Sequence, residues 1–461
     1  VKSTLHIYHT NDLHSHFENW PGIAREVKLA KERFESLGES VLYFDCGDHV
    51  DKFHPLTEGT AGQGNTALLN DINVSGVTIG NNEGITLTKS ELNALYKEAK
   101  FPIYVANLLD EKGRRPYWAK PYDYYETKDG LKIGVTGVTV PFTGFYSPLG
   151  WEVTDPFDAV RPIIENLRKN ADLVIVLSHL GLNEDKRLAQ EVEGIDMILG
   201  AHTHHELKKG LIINKTFIAQ TGKYGNNLGS IKVDYHPLTK NIIHIEADLI
   251  PANTLEPDEG TSELIMSLEK KGRDLLNKEI AYLQEPLTIS WETPSPFAKL
   301  LAETLKEWCK TKLAMVNSGV LLEGLPAGPV TKGDLHRICP HPINPCIIRL
   351  KGNELKEVIG HSLTDEMIHL QLKGLGFRGK VIGCMVFSGI DVIKERMKDG
   401  HFHVKRIMVE GVPVDDEKIY EIATIDMFTF GHLYPSIARS KHKEYLLPET
   451  LRDLLAWKLK S

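Results

Sequence analysis

Seven side chains of metal-ligand type, Asp12, His14, Asp48, Asn81, His179, His202 and His204, fall in the N-terminal half, most of them directly after a short apolar run. Residues that follow the ends of adjacent buried strands converge in space. Carboxylate, imidazole and amide donors without thiolate make a hard to borderline site, suited to manganese, zinc, iron, magnesium or cobalt. Asp48, with two oxygens, is the best candidate to bridge two ions. Such a pair, roughly 3.5–4 Å apart, makes a hydroxide nucleophile near neutral pH and holds both oxygens of an in-line displacement at phosphorus. Each signal alone is weak, since a D-x-H or a G-N-N is common by chance and a lone histidine after a strand is more often structural. Their order, their placement and the pair His202/His204 together point to a dinuclear metallohydrolase.

The elements that must position these residues follow from periodicity. From Leu5 to Tyr235, short apolar runs such as Leu5 to Tyr8, Val41 to Phe44, Leu173 to Leu177 and Met197 to Leu199 alternate with longer charged stretches of helical spacing, for example Trp20 to Leu37. That alternation is the pattern of βαβ units, sheets covered by helices. Pro251 to Pro257 reads as an exposed break, followed by a polar helix, so the expected organisation is a first domain over 1–255, a linker helix over 256–285 and a second α/β domain over 286–461.

The 461 residues are too many for one ordinary core. An apolar fraction of 41% with 25% charged residues is that of a globular chain. A net charge of -8 without a basic stripe argues against a nucleic-acid polymer or an anionic membrane as partner. Five cysteines, an odd number without a C-x-x-C pair, predict reduced thiols and a cytoplasmic setting. A leader removed before this numbering starts stays open.

The sequence resembles the calcineurin-like metallophosphoesterases, and within them the two-domain 5′-nucleotidase family. The matching text is His9-Thr-Asn-Asp12-Leu-His14-Ser-His16, Asp45-Cys-Gly-Asp48, Gly80-Asn81-Asn82-Glu83, Ser178-His179, Gly200-Ala-His202-Thr-His204 and Gly222-Lys-Tyr-Gly225. Further on, Val316-Asn317-Ser318-Gly319, Gly333-Asp334-Leu335 and Tyr420 to Thr424 resemble the family's second domain more loosely. The resemblance implies a four-layer α/β/β/α sandwich, plus a smaller C-terminal α/β domain that closes over the metals and selects the substrate. It also implies that Asp12, His14, Asp48 and His204 hold one ion, and Asp48, Asn81, His179 and His202 the other. The function implied is hydrolysis of a nucleotide or nucleotide-like phosphoester by a metal-bridging hydroxide, with Asn81 and Asn82 orienting the phosphoryl oxygens.

The chain departs from that family at the catalytic dyad. Relatives read G-N-H-[DE] with an aspartate two residues later; here Asn82 and Ile85 occupy those positions. Asparagine donates a hydrogen bond but delivers no proton, and general acid catalysis is typically worth about 10²–10⁴-fold. His49, directly after Asp48, is the first candidate for a substitute acid, with His16, His54 and His205 also near motif residues. Alternatively the leaving group needs no acid, as in a pyrophosphohydrolase or cyclic phosphodiesterase, or the chain is a weakly active ligand-binding or sensing protein. In the second domain the family's arginine, aromatic clamp and ribose aspartate lack clear counterparts. Asn317, His341, Arg378, Phe428 and Phe430 are the candidate substrate contacts, although Phe428 and Phe430 fit a core strand equally well.

Overall fold

A computed structural model describes residues 2–396 and 402–460. The chain forms two compact units, residues 1–273 and 274–461. In the first unit a seven-stranded sheet and a six-stranded sheet face each other. The strand Leu173–His179 shows how the sequence builds this. Its unbroken apolar run has side chains alternating between two interiors: Leu173, Ile175 and Leu177 enter the core between the sheets, and Val174 and Val176 the core under the helices. Phe44, Leu5 and Ile7 meet the first set from the opposite sheet. Val160, Ile164 and Leu167 of helix Pro156–Leu167, spaced four and three apart, meet the second set. Helix Trp20–Ser36 buries Trp20, Ile23, Ala24 and Val27 and packs on strand Ser40–Asp45 of the seven-stranded sheet. The result is the four-layer α/β/β/α arrangement.

Pairing is parallel among Ser3–Thr10, Ser40–Asp45 and Gly76–Val77 in one sheet, and between Leu173–His179 and Met197–Gly200 in the other. The carboxyl ends of these strands, and the loops that follow them, therefore carry all seven candidate ligands.

The expected linker over 256–285 is two different things. Helix Glu259–Leu276 begins on the first unit, where Asp258 caps the Thr261 amide and takes a bond from Lys28, and Gly272 meets Gly59 with no room for a Cβ. Residues Glu279–Leu283 are instead a strand paired with Gly328–Thr331 in the second unit, because Ile280, Ala281 and Leu283 pack on that unit's core. The second unit is built on a five-stranded mixed sheet, with Leu313–Asn317, Ile419–Ile425 and Pro345–Lys351 at its centre. Among the described residues no helix is long and apolar enough to cross a membrane.

Candidate metal centre

The loops after the strands are locked to one another before any ligand is considered. Asp12 N donates to the Gly47 carbonyl (3.0 Å) and His14 N to the Asp48 carbonyl (2.8 Å), so the first two ligand loops interlock. The turn at Tyr224 joins them, its N–H donating to Asp12 O at 2.8 Å. Five of the seven candidate ligands, Asp12, His14, Asp48, His202 and His204, have φ between 49° and 74°. Residues with a Cβ avoid that left-handed region, and it persists where surrounding structure over-determines it, commonly at functional sites.

These bends bring ligand atoms together. Asp12 Oδ1 lies 3.4 Å from His204 Nε2, 3.8 Å from His14 Nε2 and 3.9 Å from His179 Nε2. Asp48 Oδ2 lies 3.4 Å from His179 Nε2 and 3.7 Å from His14 Nε2. Two groups, Asp12/His14/His204 and Asp12/Asp48/His179, each keep one donor atom per residue within 4.8 Å of the others. The His202 ring is centred 5.3 Å from that of His179, and its backbone N–H donates to Asp12 Oδ2 (2.9 Å).

Each carboxylate uses one oxygen structurally and leaves the other for the cluster. Asp12 Oδ2 accepts from Asn11 Nδ2 (2.7 Å) and Asp48 Oδ1 from Asn82 N (2.7 Å). Asp12 Oδ1, Asn81 Oδ1 and His179 Nε2 are buried atoms with no hydrogen-bond partner. Buried polar atoms are otherwise nearly always satisfied, so the orphaned Asp12 Oδ1 and His179 Nε2, 3.9 Å apart, fit a cation. The electrostatics agree. Burial alone would pull the His179 pKa down, but Asp48 and then Asp12 outweigh it and hold it up at about 10. Burial would likewise raise Asp48, yet His179 and His14 hold it well below the usual carboxylate range. A cluster that favours positive charge this strongly is matched to divalent metal.

Several supporting residues have no signal in the sequence pattern. His179 Nδ1 lies 2.8 Å from the Cys46 carbonyl, which fixes the proton there and leaves Nε2 as a ligand. Asp51 Oδ2 lies 3.3 Å from His14 Nδ1 and does the same for that ring. Glu83 accepts from the N–H groups of Asp48 (2.9 Å), Gly80 (2.8 Å) and Val50 (2.9 Å), tying the Asp48 loop to the Asn81 loop. Asn11 and Glu83 stand inside the motifs and were readable as positions, though not as struts. Asp51 is identified only by its distance to His14.

Asp185 lies beneath the His179 strand, accepting from Ser178 Oγ (2.5 Å) and Gln220 Nε2 (2.7 Å). Complete burial raises its pKa from 3.8 to about 7, with those two bonds opposing. The folded chain thus keeps this proton up to about pH 7, whereas the unfolded chain releases it near 4. Between those values the folded state binds more protons, so stability falls as pH rises through that window. Asp185→Asn is expected to raise the melting temperature of the metal-free chain relative to the parent, by more at pH 8 than at pH 5. Calorimetry at the two pH values checks this, and equal differences at both would refute it.

The structure alters the reading of the other site residues. His49 is 3% exposed, with Nδ1 at 3.1 Å from Asn65 Nδ2 and its ring edge-on to Trp20. Burial lowers its pKa to about 3, so it is neutral and enclosed, the opposite of what a substitute acid needs. Asn82 is 6% exposed, and its amide is engaged by protein groups rather than open to a phosphoryl oxygen. Asn317 is fully buried and donates to the Ile382 carbonyl (2.6 Å). His341 is also fully buried, with Nε2 at 2.9 Å from Val320 O, Nδ1 accepting from Arg378 N (2.9 Å) and its face on Phe377. Phe428 lies in a 3₁₀ turn, Asp426–Thr429, rather than a strand, and has no exposed face. Its ring packs edge-on to Tyr434. His341 and Phe428 present nothing to a ligand, whereas Asn317 keeps a buried Oδ1 without a hydrogen-bond partner. Arg378 and Phe430 are half-buried, and Phe430 stacks on Tyr445.

The calcineurin-like phosphoesterase family matches residues 5–206, and the 5′-nucleotidase C-terminal domain matches residues 279–433. Over 461 residues, the full length of both, the chain is 46% identical to the uncharacterized metallophosphoesterase YunD of Bacillus subtilis (strain 168). The chain belongs to the calcineurin-like metallophosphoesterases, 5′-nucleotidase type. Among its metallophosphoesterase relatives, human 5′-nucleotidase is 23% identical over 418 residues, which are 78% of this chain and 72% of the relative. The Haemophilus influenzae NAD nucleotidase structure superposes with a TM-score of 0.69 at 16% identity, covering 100% of this chain and 96% of that one, which establishes a shared two-domain fold. Calcineurin-like phosphoesterases bind divalent metals, and the converging donors Asp12, His14, Asp48, His179 and His204 of this metallophosphoesterase fit that chemistry.

Proposed function

We propose that this metallophosphoesterase uses two divalent ions to hydrolyse a phosphoester of a nucleotide or nucleotide-like small molecule, in a reducing cytoplasmic setting that its five free, buried cysteines support. The observation that carries the reading is the convergence of Asp12 Oδ1, Asp48 Oδ2 and the Nε2 atoms of His14, His179 and His204. Asp12, His14, Asp48 and His204 would hold one ion, and Asp48, Asn81, His179 and His202 the other. The ions supply Lewis acidity and an activated water. The chain's own part is to hold the donors rigid, through Glu83, Asp51 and the Cys46 carbonyl, and to keep their open atoms aimed at one point.

A second reading of the substrate has a specific observation behind it. The two nearest replacements for the family's histidine, Asn82 and His49, are hydrogen-bonded within the protein and unable to give a proton. Cleavage of a phosphoanhydride, or of a diester with a good leaving group, needs no proton at the departing oxygen.

The test is a turnover panel with manganese: nucleoside 5′-monophosphates, nucleoside diphosphate sugars and an activated aryl phosphate diester. Hydrolysis is expected to vanish with excess chelator and to return with manganese or zinc. Full activity in chelator would sink the metal reading. Among substrates, turnover of monophosphates supports the first reading, and turnover confined to the other two supports the second.

A further inference from the structure

Asn82 stands at the histidine position of the family motif, yet its contacts run to the ligand set. Its N–H donates to Asp48 Oδ1 (2.7 Å), its Oδ1 accepts from Asn81 Nδ2 (3.2 Å), and its Nδ2 donates to the Val50 carbonyl (3.0 Å) and lies 3.1 Å from His14 Nδ1. One residue, 6% exposed, thus touches three candidate ligands from three loops. We propose that Asn82 is a positioning residue of the metal centre, which sets the orientation of the Asn81 amide and seats the His14 ring. The inference rests on the metallophosphoesterase reading above.

The physical argument concerns which end of each ligand is left open. An amide has distinct donor and acceptor ends. Because Asn81 Nδ2 is spent on Asn82 Oδ1, Asn81 Oδ1 faces the other way, and it is the buried atom without a partner. The Asn82 bond to Val50 O fixes the donor and acceptor ends of Asn82 itself, since the reversed amide would set an oxygen against that carbonyl and nitrogen against nitrogen at Asn81. For His14, Asp51 Oδ2 accepts from Nδ1–H, and Asn82 Nδ2, donating to the Val50 carbonyl, packs against the same edge without a hydrogen bond to it; the two contacts keep Nε2 on the side of Asp12 and Asp48. A histidine here would be a larger ring in an enclosed space and would break this arrangement. Reversion to the family residue is therefore expected to weaken metal binding.

The test measures metal binding by the full chain, titrating Mn²⁺ by calorimetry and Co²⁺ by its visible absorption. Asn82→Ala is expected to weaken the affinity for at least one ion by about 10–100-fold, the usual effect of removing a group that orients a ligand. It should also change the Co²⁺ spectrum, which a merely structural role would not move. Asn82→Asp keeps an oxygen for Asn81 Nδ2 and should recover part of both; it also carries the test if the alanine variant does not fold. Wild-type affinity and an unchanged Co²⁺ spectrum in both variants, with turnover alone reduced, would place the Asn82 amide on the substrate and overturn the proposal. A parent chain that takes up no divalent ion would overturn the metallophosphoesterase reading together with it.

Discussion

Asp48→Asn is expected to cost the protein at least one bound ion and to lower phosphoester hydrolysis by about 10³-fold, the equivalent of roughly 4 kcal/mol of transition-state stabilisation. Asp48 is 2% exposed and both its oxygens are committed: Oδ1 to the Asn82 N–H, Oδ2 to the imidazole cluster. An asparagine has the same shape and one oxygen fewer. If its oxygen keeps the Asn82 N–H, the NH₂ group points at the imidazole cluster; if it turns, the NH₂ meets the Asn82 N–H and two donors face each other. Either way the cluster loses a negative charge that makes this point attractive to cations and that pushes the His179 and His14 pKa values up. Metal content by mass spectrometry, beside turnover of an aryl phosphate, decides it. A variant with full metal content and near-parental rate would show that Asp48 is not a bridging ligand.

Gly80→Ala is expected to remove metal binding almost as completely, for a steric reason. A Cβ at Gly80 would sit 2.0 Å from Asp48 Oδ1 and 2.5 Å from His179 Cε1. The backbone there has φ -99°, which alanine adopts without strain, so the whole effect comes from the contact. Relief requires two ligands from different loops to move, and both loops are tied down by Glu83 and the Cys46 carbonyl. Overpacking of this kind typically costs about 1–3 kcal/mol of stability. The larger consequence is displacement of the Asp48 carboxylate, the proposed bridging ligand. Gly360→Ala is the control: it has nothing within 4 Å of the added methyl and should keep its metal. Parental metal uptake by Gly80→Ala would mean the two loops are softer than their hydrogen bonds indicate.

Much of this was legible in the residues themselves. The run Leu173 to Leu177 and the apolar stretches before Asp48 and His202 announce strands buried on both faces, as in parallel sheets, because a strand with one solvated face would alternate with polar residues. Their ends mark the ligands, so Asp12, His14, Asp48, His179 and His204 were identifiable by type and place, and the structure brings them together. The helix after Pro257 was also readable, but not that the chain after it turns into a strand of the second unit. Its short run alternates too little to distinguish the two.

What only the tertiary structure decided is which polar atoms are already used. A histidine directly after Asp48 looks like an acid until Asn65 and Trp20 are found enclosing His49. Likewise Asn82 looks open to phosphate until its amide is found against Val50 O and His14, and His341 and Phe428 look like a clamp until their faces are found covered. Asp51, conversely, carries no pattern of its own, and Glu83 is only a motif position; both acquire a role through contacts made across loops. Residue type and spacing are local properties and determined the chemistry this chain can do. Burial and hydrogen-bond partners depend on residues distant in sequence, and they determined which of its side chains remain free to do it.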